Sequence, residues 1–383
     1  MTEKLYYKNS KLYEFDATVL SCEQIDDSFI CILDQTAFFP EGGGQKFDTG
    51  KIGEADVVNV QEKSEIIEHT VTQPLAVGSS VHCIIDSDVR FRRMQNHTGE
   101  HIFSGVVHNT YGYTNIGFHM TDECMTVDFD GPLNAEQLKK VEDECNRIIT
   151  SNVKVTEKFP TSDELKALDY RSKLELRENV RLIEITGVDL CACCAPHVEN
   201  TGEVGLLKIL DSMPHRGGVR VTLLCGTDAF EHLRTQYNCN RKVSALLSAR
   251  AVETPQGVEK LQEDIVLLKR EITSLQTKIN RLLADGLEQT NGSAVMFLVD
   301  AKTDEMRSLC NLCLPKCGKM MCVCSGNDNN GYSYIVASET INLREKSKEI
   351  NTALNGRGGG QPTMIQGSFK ATKEEIIAFF NQQ

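Results

Sequence analysis

Long apolar runs are missing from the 383 residues. None approaches the roughly 18 consecutive apolar residues that a membrane-spanning helix needs, so no membrane partner is expected. The first segment, Met1 to Phe15, is charged and polar and has no apolar h-region, which argues against a secretory signal and for a cytoplasmic protein. Cationic charge is also short: 41 Lys and Arg face 54 Asp and Glu, for a net charge of -13. Indiscriminate affinity for nucleic acid comes from cationic side chains meeting phosphates, so any RNA contact must be local and shape-selective. Cysteine is plentiful, at 15 residues. In a reducing cytosol these read as thiols and metal ligands rather than disulfides.

The length predicts two to four domains, and the overall class reads as α+β. Residues 1–89 form a small β-rich domain, in which alternating runs such as Phe29-Ile30-Cys31-Ile32-Leu33 are broken by turn signals, above all Pro40-Glu41-Gly42-Gly43-Gly44. Residues 90–226 form an α+β domain. Met94, His97, His101, Ile102, Gly105 and Val106 recur at helical spacing, and a second helix is expected after Pro132 with Asn134 as its cap. Strands are expected at Arg181–Ile185, Val204–Ile209 and Gly218–Leu224.

Residues 227–290 read as a helical hairpin or coiled coil. Val258, Leu261, Ile265, Leu268, Ile272, Leu275, Ile279 and Leu282 alternate spacings of three and four, with β-branched residues at every a position and leucine at every d. That pairing favours two parallel strands, so a homodimer through the 258–282 helix or the C-terminal domain is expected; an antiparallel hairpin on the preceding helix is the alternative. Residues 291–383 read as a compact α/β unit with a glycine-rich loop before a final helix.

His97-Thr98-Gly99-Glu100-His101 places two imidazoles four residues apart, which a helix turns to one face, one turn apart, where they can chelate one ion. Cys193 and His197 repeat the offset in Cys191-Ala192-Cys193-Cys194-Ala195-Pro196-His197. Donors of nitrogen and sulfur only suit tetrahedral zinc, so one Zn2+ per chain is expected. Satisfied histidines beside a cysteine-rich loop would be the plainer explanation of either half alone.

In Phe38-to-Gln45, three glycines let a backbone approach a ligand and expose N–H groups toward a carbonyl or its oxyanion. Glu41, Gly43 and Gly44 are therefore candidate substrate contacts and Gln45 a candidate to fix water or ribose, against a bare hairpin turn. Gly356, Arg357, Gly358, Gly359, Gly360 and Gln361 combine backbone donors with a guanidinium, a clamp for phosphate or RNA backbone if not simply a turn. Arg92, Arg93, Arg216 and Arg220 are candidate RNA contacts whose alternative is solvated surface charge. Cys310, Cys313, Cys317, Cys322 and Cys324 read as core residues rather than a second metal site.

The motifs Phe38-to-Gln45, Asn96-to-His101, Cys193-to-Gly205 and Gly356-to-Gln361 together resemble the long form of the AlaX family, free-standing relatives of the alanyl-tRNA synthetase editing domain. The last domain is similar to the DHHA1 RNA-binding domain. The resemblance implies a deacylase that acts in trans on tRNA(Ala) mischarged with serine, and often glycine. It implies His97, His101, Cys193 and His197 as zinc ligands and Gln45 as part of the pocket lining. Two departures stand out: Pro196 occupies a position where synthetases usually carry threonine, and Cys194-Ala195 replaces the usual double glycine. For the chemistry, Gln45, Glu100, Thr98 and Thr36 are the candidates, with Thr98, Thr36 and Gln45 the candidate contacts to a seryl hydroxyl. Two other readings compete. One is a metallopeptidase of the H-x-x-E-H type, with Glu100 as base and Glu175 or Glu178 completing the metal shell. The other is a noncatalytic, zinc-containing tRNA-binding module.

Overall fold

The computed structural model describes residues 2–172 and 180–383, and the chain divides into two compact units, 1–242 and 243–383. The boundary falls inside the segment 227–290. The first unit opens with two short strands, β1 (Glu3–Lys4) and β4 (Gln35–Thr36), paired in parallel. Separately, β2 (Glu14–Ile25), β3 (Ser28–Leu33), β7 (Ile66–Val71), β6 (Ala55–Lys63), β5 (Gly50–Ile52) and β8 (Ser80–Ile85) close in that spatial order into an antiparallel barrel. Period-two alternation sends Phe15, Ala17 and Val19 inward from β2, and Val19, Cys31, Leu33, Ile52, Val60, Ile67 and Cys83 are fully buried.

The barrel leads directly into α1 (Ser87–Tyr111), whose N-cap Asp86 accepts a hydrogen bond from the Val89 N–H at 3.2 Å. α1 is buried on every side from Met94 to Val107. It packs against α2 (Ala135–Thr150) and two antiparallel sheets. The first, in order, is β14 (Leu207–His215), β15 (Gly218–Cys225), β10 (Met125–Phe129) and β9 (Asn115–Met120). The second is β11 (Val155–Lys158), β12 (Leu182–Ile185) and β13 (Asp189–Ala192). α3 (Ser162–Ala167) follows β11 in sequence, and α4 (Gly226–Leu247) carries the chain across the boundary between the units. Asn134 caps α2 as expected, in a reciprocal box with Gln137. The strand expected at Val204 starts only at Leu207, because Thr201–Val204 wind into a 3-10 turn held by the Asn200 N–H to the Glu203 carboxylate.

The second unit begins with α5 (Thr254–Asp285), a single helix whose heptad row stays exposed within the chain, from 40% at Val258 to 72% at Leu282. β16 (Ala294–Leu298), β17 (Met321–Asn327), β18 (Gly331–Ala337), β20 (Met364–Phe369) and β19 (Arg357–Gln361) then form one sheet in that order. Alternation along β17 sends Met321 and Val323 to the face covered by α6 (Thr303–Cys313), and Cys322 and Cys324 to the face covered by α7 (Leu343–Ala353) and α8 (Lys373–Asn381). Cys310 and Cys313 lie on the α6 side, so these cysteines belong to opposite cores and do not converge on one ion. The glycine run expected as a loop is instead the edge strand β19, paired only with β20 and exposed from Arg357 to Gln361. Pairing with β20 leaves its backbone donors partly spent on the sheet.

Candidate metal centre

A helix buried on all sides is normally apolar all round. α1 instead buries Gln95, Asn96, His97, Thr98, Glu100, His101 and Ser104, and each has a hydrogen-bond partner. Such a density of satisfied polar groups in a core marks a site rather than a packing element. His97 and His101 sit one turn apart on α1, and the loop after β13 brings Cys193 and His197 against them. One ligand atom from each of the four lies within 4.8 Å of the others. The sequence expectation of a four-residue cluster is met.

The donor set fits zinc. Tetrahedral geometry at ordinary Zn–S and Zn–N bond lengths puts sulfur and nitrogen about 3.6 Å apart. Cys193 Sγ lies 3.5 Å from His97 Nε2 and 3.4 Å from His197 Nε2. Each histidine's other nitrogen is held: His97 Nδ1 by Gln45 Oε1 at 2.8 Å, His101 Nδ1 by Asp189 Oδ2 at 3.0 Å and His197 Nδ1 by Thr98 Oγ1 at 3.0 Å. Such partners fix the ring and the tautomer, leaving Nε2 to face the ion. Burial, with the neighbouring imidazoles, lowers the pKa of His197 well below the usual histidine range, which keeps it in the neutral form that binds metal. Burial pushes the Cys193 thiol up, and the Ala195 N–H hydrogen-bonded to its sulfur at 3.4 Å pulls the other way. Asp189 and Cys191 also come within ligand range of His101, but the Asp189 carboxylate is committed to His101 and, through both oxygens, to Arg171.

The glycine run solves a geometric problem. Gly42 and Gln45 exchange backbone hydrogen bonds at 3.1 and 3.0 Å around Gly43 and Gly44, whose φ values of 61° and 84° lie in the left-handed region. A Cβ on Gly44 would sit 2.7 Å from Phe118 Cδ1. The run is therefore a tight hairpin turn, and its purpose is to deliver Gln45, which is 1% exposed, to His97. Glu41 stays exposed, and Gly43 lies beside Cys194 Sγ at 3.6 Å from its would-be Cβ. The Gln45 Nε2 donor is buried and has no hydrogen-bond partner among the described residues.

Of the other candidates, Glu100 is 4% exposed; its Oε1 accepts from Ser104 Oγ at 2.5 Å and Asn115 Nδ2 at 2.6 Å, and its Oε2 lies 4.0 Å from His101 Nε2. Thr98 is taken up: it holds His197 and accepts from the Val198 N–H at 3.3 Å. Thr36 is fully buried and joins the barrel, bonded to His69 Nε2 at 2.9 Å and to the Phe38 N–H at 3.1 Å. Arg92 pairs with Asp228, Arg93 with the Phe47 carbonyl, Arg220 with Asp128, and Arg216 is exposed at the β14–β15 turn. Glu175 and Glu178 lie outside the described residues.

Sequence reasoning missed the supports. Arg90 and Asp48, both with wholly buried side chains, form an ion pair; Asp48 Oδ2 also accepts from the Phe39 N–H at 2.6 Å, and Arg90 also donates to the Ala37 and Ser10 carbonyls. The pair clamps both ends of the glycine hairpin to the start of α1. Arg181 donates to the Cys193 and Ala195 carbonyls at 2.9 and 2.8 Å, shaping the ligand loop. Neither role is visible in spacing, because both join segments far apart in sequence.

Comparison with known proteins places this geometry. Residues 2–89 match the model described as tRNA synthetases class II (A), residues 180–221 that of the threonyl and alanyl tRNA synthetase second additional domain, and residues 279–383 the DHHA1 domain. Fold and site thus define a relative of the parts of alanyl-tRNA synthetase that carry its second additional and DHHA1 domains. The chain is 29% identical to an alanine–tRNA ligase of Halorubrum lacusprofundi over 96% of its own length, but spans only 42% of that protein. It is 28% identical to the alanyl-tRNA editing protein AlaX-L of Pyrococcus horikoshii over 98% of this chain and 97% of that one. Over nearly its whole length the chain is thus similar to a long-form alanyl-tRNA editing protein, and it carries matches to three synthetase-related domain models. Among the described residues no helix is long and apolar enough to cross a membrane.

Proposed function

We propose that this chain is a zinc-dependent hydrolase that acts in trans in the cytoplasm and frees tRNA(Ala) from serine, with glycine as a second substrate. The reading rests above all on the Gln45 amide, fixed through Oε1 to a metal-cluster histidine and left with a buried, unpartnered Nε2 donor. An unpaired buried donor costs about 1–3 kcal/mol, so a substrate that supplies an acceptor there is selected. Serine's hydroxyl supplies one and alanine's methyl does not, which supports discrimination of up to about 10⁴ against correctly charged tRNA. Thr98 and Thr36, the other candidates for this contact, have their hydroxyls engaged within the protein.

Bound zinc would supply positive charge to orient the aminoacyl group, its four protein donors completing a tetrahedral shell. Glu100 has one oxygen fixed by Ser104 and Asn115 and the other beside His101, the arrangement of a general base. In this scheme it takes a proton from water as the water oxygen bonds to the ester carbonyl carbon. It returns the proton to the ribose oxygen as the ester C–O bond breaks. Arg216, Arg220 and the exposed Arg357 on β19 are assigned to tRNA backbone, and the α5 heptad row to a homodimer.

The deciding experiment incubates purified protein with tRNA(Ala) charged in turn with serine, glycine or alanine and follows release of labelled amino acid. Ser-tRNA(Ala) is expected to lose its amino acid fastest and Ala-tRNA(Ala) to persist. Equal lifetimes with and without protein for all three would overturn the reading and leave a noncatalytic RNA-binding module.

A further inference from the structure

In the first unit lies a cleft of about 230 Å³ whose lining includes Lys46, Arg92, Arg93, Asn96, Asp122 and Asp228. Two of its lining residues adjoin site residues in sequence: Lys46 follows Gln45, and Asn96 precedes His97. Its two carboxylates differ in kind. Asp228 is held from two sides, by Arg92 Nε and by Asn96 Nδ2, both at 2.7 Å, with a side chain 17% exposed. Asp122 stands on the turn between β9 and β10 with a side chain 71% exposed; Lys46 Nζ reaches it at 2.6 Å and Arg93 Nη2 at 3.9 Å. The hydrogen bond from Lys46, opposed by partial burial and reinforced by the charges of Lys46, Arg93 and Arg92, holds the Asp122 carboxyl below the usual range: three cations converge on that point.

We infer that this cleft binds the last internucleotide phosphate of the tRNA acceptor end, and that the Asp122 carboxylate occupies the phosphate's place in the free protein. The inference rests on the deacylase reading above. A carboxylate and a phosphodiester offer the same anionic oxygens to Lys46 and Arg93. An ion pair as exposed as Lys46–Asp122 is weak in water, so it exchanges readily for a better anion. The distance is right as well. Arg93 precedes His97 by four helical residues, about 6 Å along the axis. That is comparable with the span of a single nucleotide from its 5′ phosphate to the esterified ribose oxygen. A phosphate in the cleft would therefore set the ester at the cluster, while Arg93, anchored on the Phe47 carbonyl, keeps the cleft in register with the glycine hairpin.

The test uses Ser-tRNA(Ala) in two forms, with the native final phosphodiester or with an uncharged methylphosphonate at that linkage, and the full-length protein as wild type, Lys46→Met and Asp122→Asn. Both substitutions are on exposed side chains, so folding is preserved. The neutral linkage is expected to lower wild-type kcat/KM about tenfold, chiefly through KM, as loss of one charge-assisted contact should. Lys46→Met should lose a similar factor on the native substrate and nothing further on the neutral one. Asp122→Asn should gain about threefold on the native substrate alone, as removal of a weak competing ion pair should. Equal turnover of both linkages by wild type, or an equal loss on both for Lys46→Met, would overturn the assignment. Failure of the wild type to deacylate either form would instead sink the deacylase reading, and this assignment with it.

Discussion

Asp189→Asn should weaken zinc binding more than any other change that leaves the four ligands in place. Asp189 has a side chain only 2% exposed, accepts from His101 Nδ1 at 3.0 Å and is gripped by Arg171 Nε at 2.6 Å and Nη2 at 2.9 Å. Burial by itself would raise its pKa, but the hydrogen bonds from His101 and Arg171 outweigh burial and leave it at about 2. At neutral pH it is a carboxylate, and its charge makes the His101 ring a stronger donor to metal. Asparagine keeps the shape but removes the charge, and its amide N–H groups must face one of two donors. Loss of such a partner typically costs 10- to 100-fold in affinity, or about 1.4–2.7 kcal/mol. Gln45→Ala removes a neutral partner from His97, where a hydrogen bond is worth only about 0.5–1.5 kcal/mol, so it should cost less. Competition against a chromophoric zinc chelator at pH 7.5 would rank the variants. If Asp189→Asn binds within twofold of wild type, or Gln45→Ala binds more weakly than Asp189→Asn, the argument from charge is wrong.

The remaining expectations concern chemistry, stability and assembly. Gln45→Leu should lower kcat/KM on Ser-tRNA(Ala) by about 10² or more while the protein still binds one zinc; a loss confined to metal content would refute the direct role of its amide. Cys193→Ala should abolish both zinc binding and deacylation, whereas a peptidase relying on the H-x-x-E-H histidines would keep its metal. His69 is wholly buried, and burial lowers its pKa from 6.5 to about 4, against the pull of a hydrogen bond to the Cys31 carbonyl. The unfolded chain therefore takes up a proton that the fold refuses, so stability falls as pH drops from 6.5 toward 4, by about 3 kcal/mol in total; urea midpoints at pH 7 and pH 5 should show the fall, and His69→Gln should flatten it. Ile272→Asp, in the middle of the exposed α5 row, should convert a dimer into a monomer in light scattering, and a wild type that is already monomeric would dispose of the coiled-coil assignment.

What the sequence made legible follows from the range of the forces involved. The four-residue cluster could be read because the geometry a metal needs is local: a helix fixes the four-residue offset of His97 and His101, and the second pair repeats it. The barrel strands, α2 with its Asn134 cap and the sheet of the second unit could be read because alternation, periodicity and capping are written within a few residues. β19 could not. A run of glycines carries no side-chain alternation, so only its partner β20 reveals that it is an edge strand rather than a loop. Thr36 shows a similar limit: its neighbours in sequence border the glycine hairpin, but its hydroxyl answers to His69, 33 residues away, on the barrel strand β7.

The same distinction explains why the supports were missed and why they matter. Arg90 stands two residues before the candidate RNA contact Arg92, yet it is wholly buried and belongs to Asp48. Removing one partner of a buried ion pair costs about 3–5 kcal/mol because the other charge is stranded, whereas the intact pair contributes little net stability. Its value lies in geometry. Arg90 also takes the Ala37 carbonyl, and Asp48 takes the Phe39 N–H, so the root of the hairpin is bound to α1 from both ends before Gln45 ever meets His97. A packed apolar contact could supply as much adhesion but would permit sliding, and a slide of one ångström would uncouple Gln45 from the cluster. The barrel is thus joined to the helix that carries His97 and His101 by the kind of interaction that specifies position more than it stabilises, as the proposed discrimination between a hydroxymethyl and a methyl group requires.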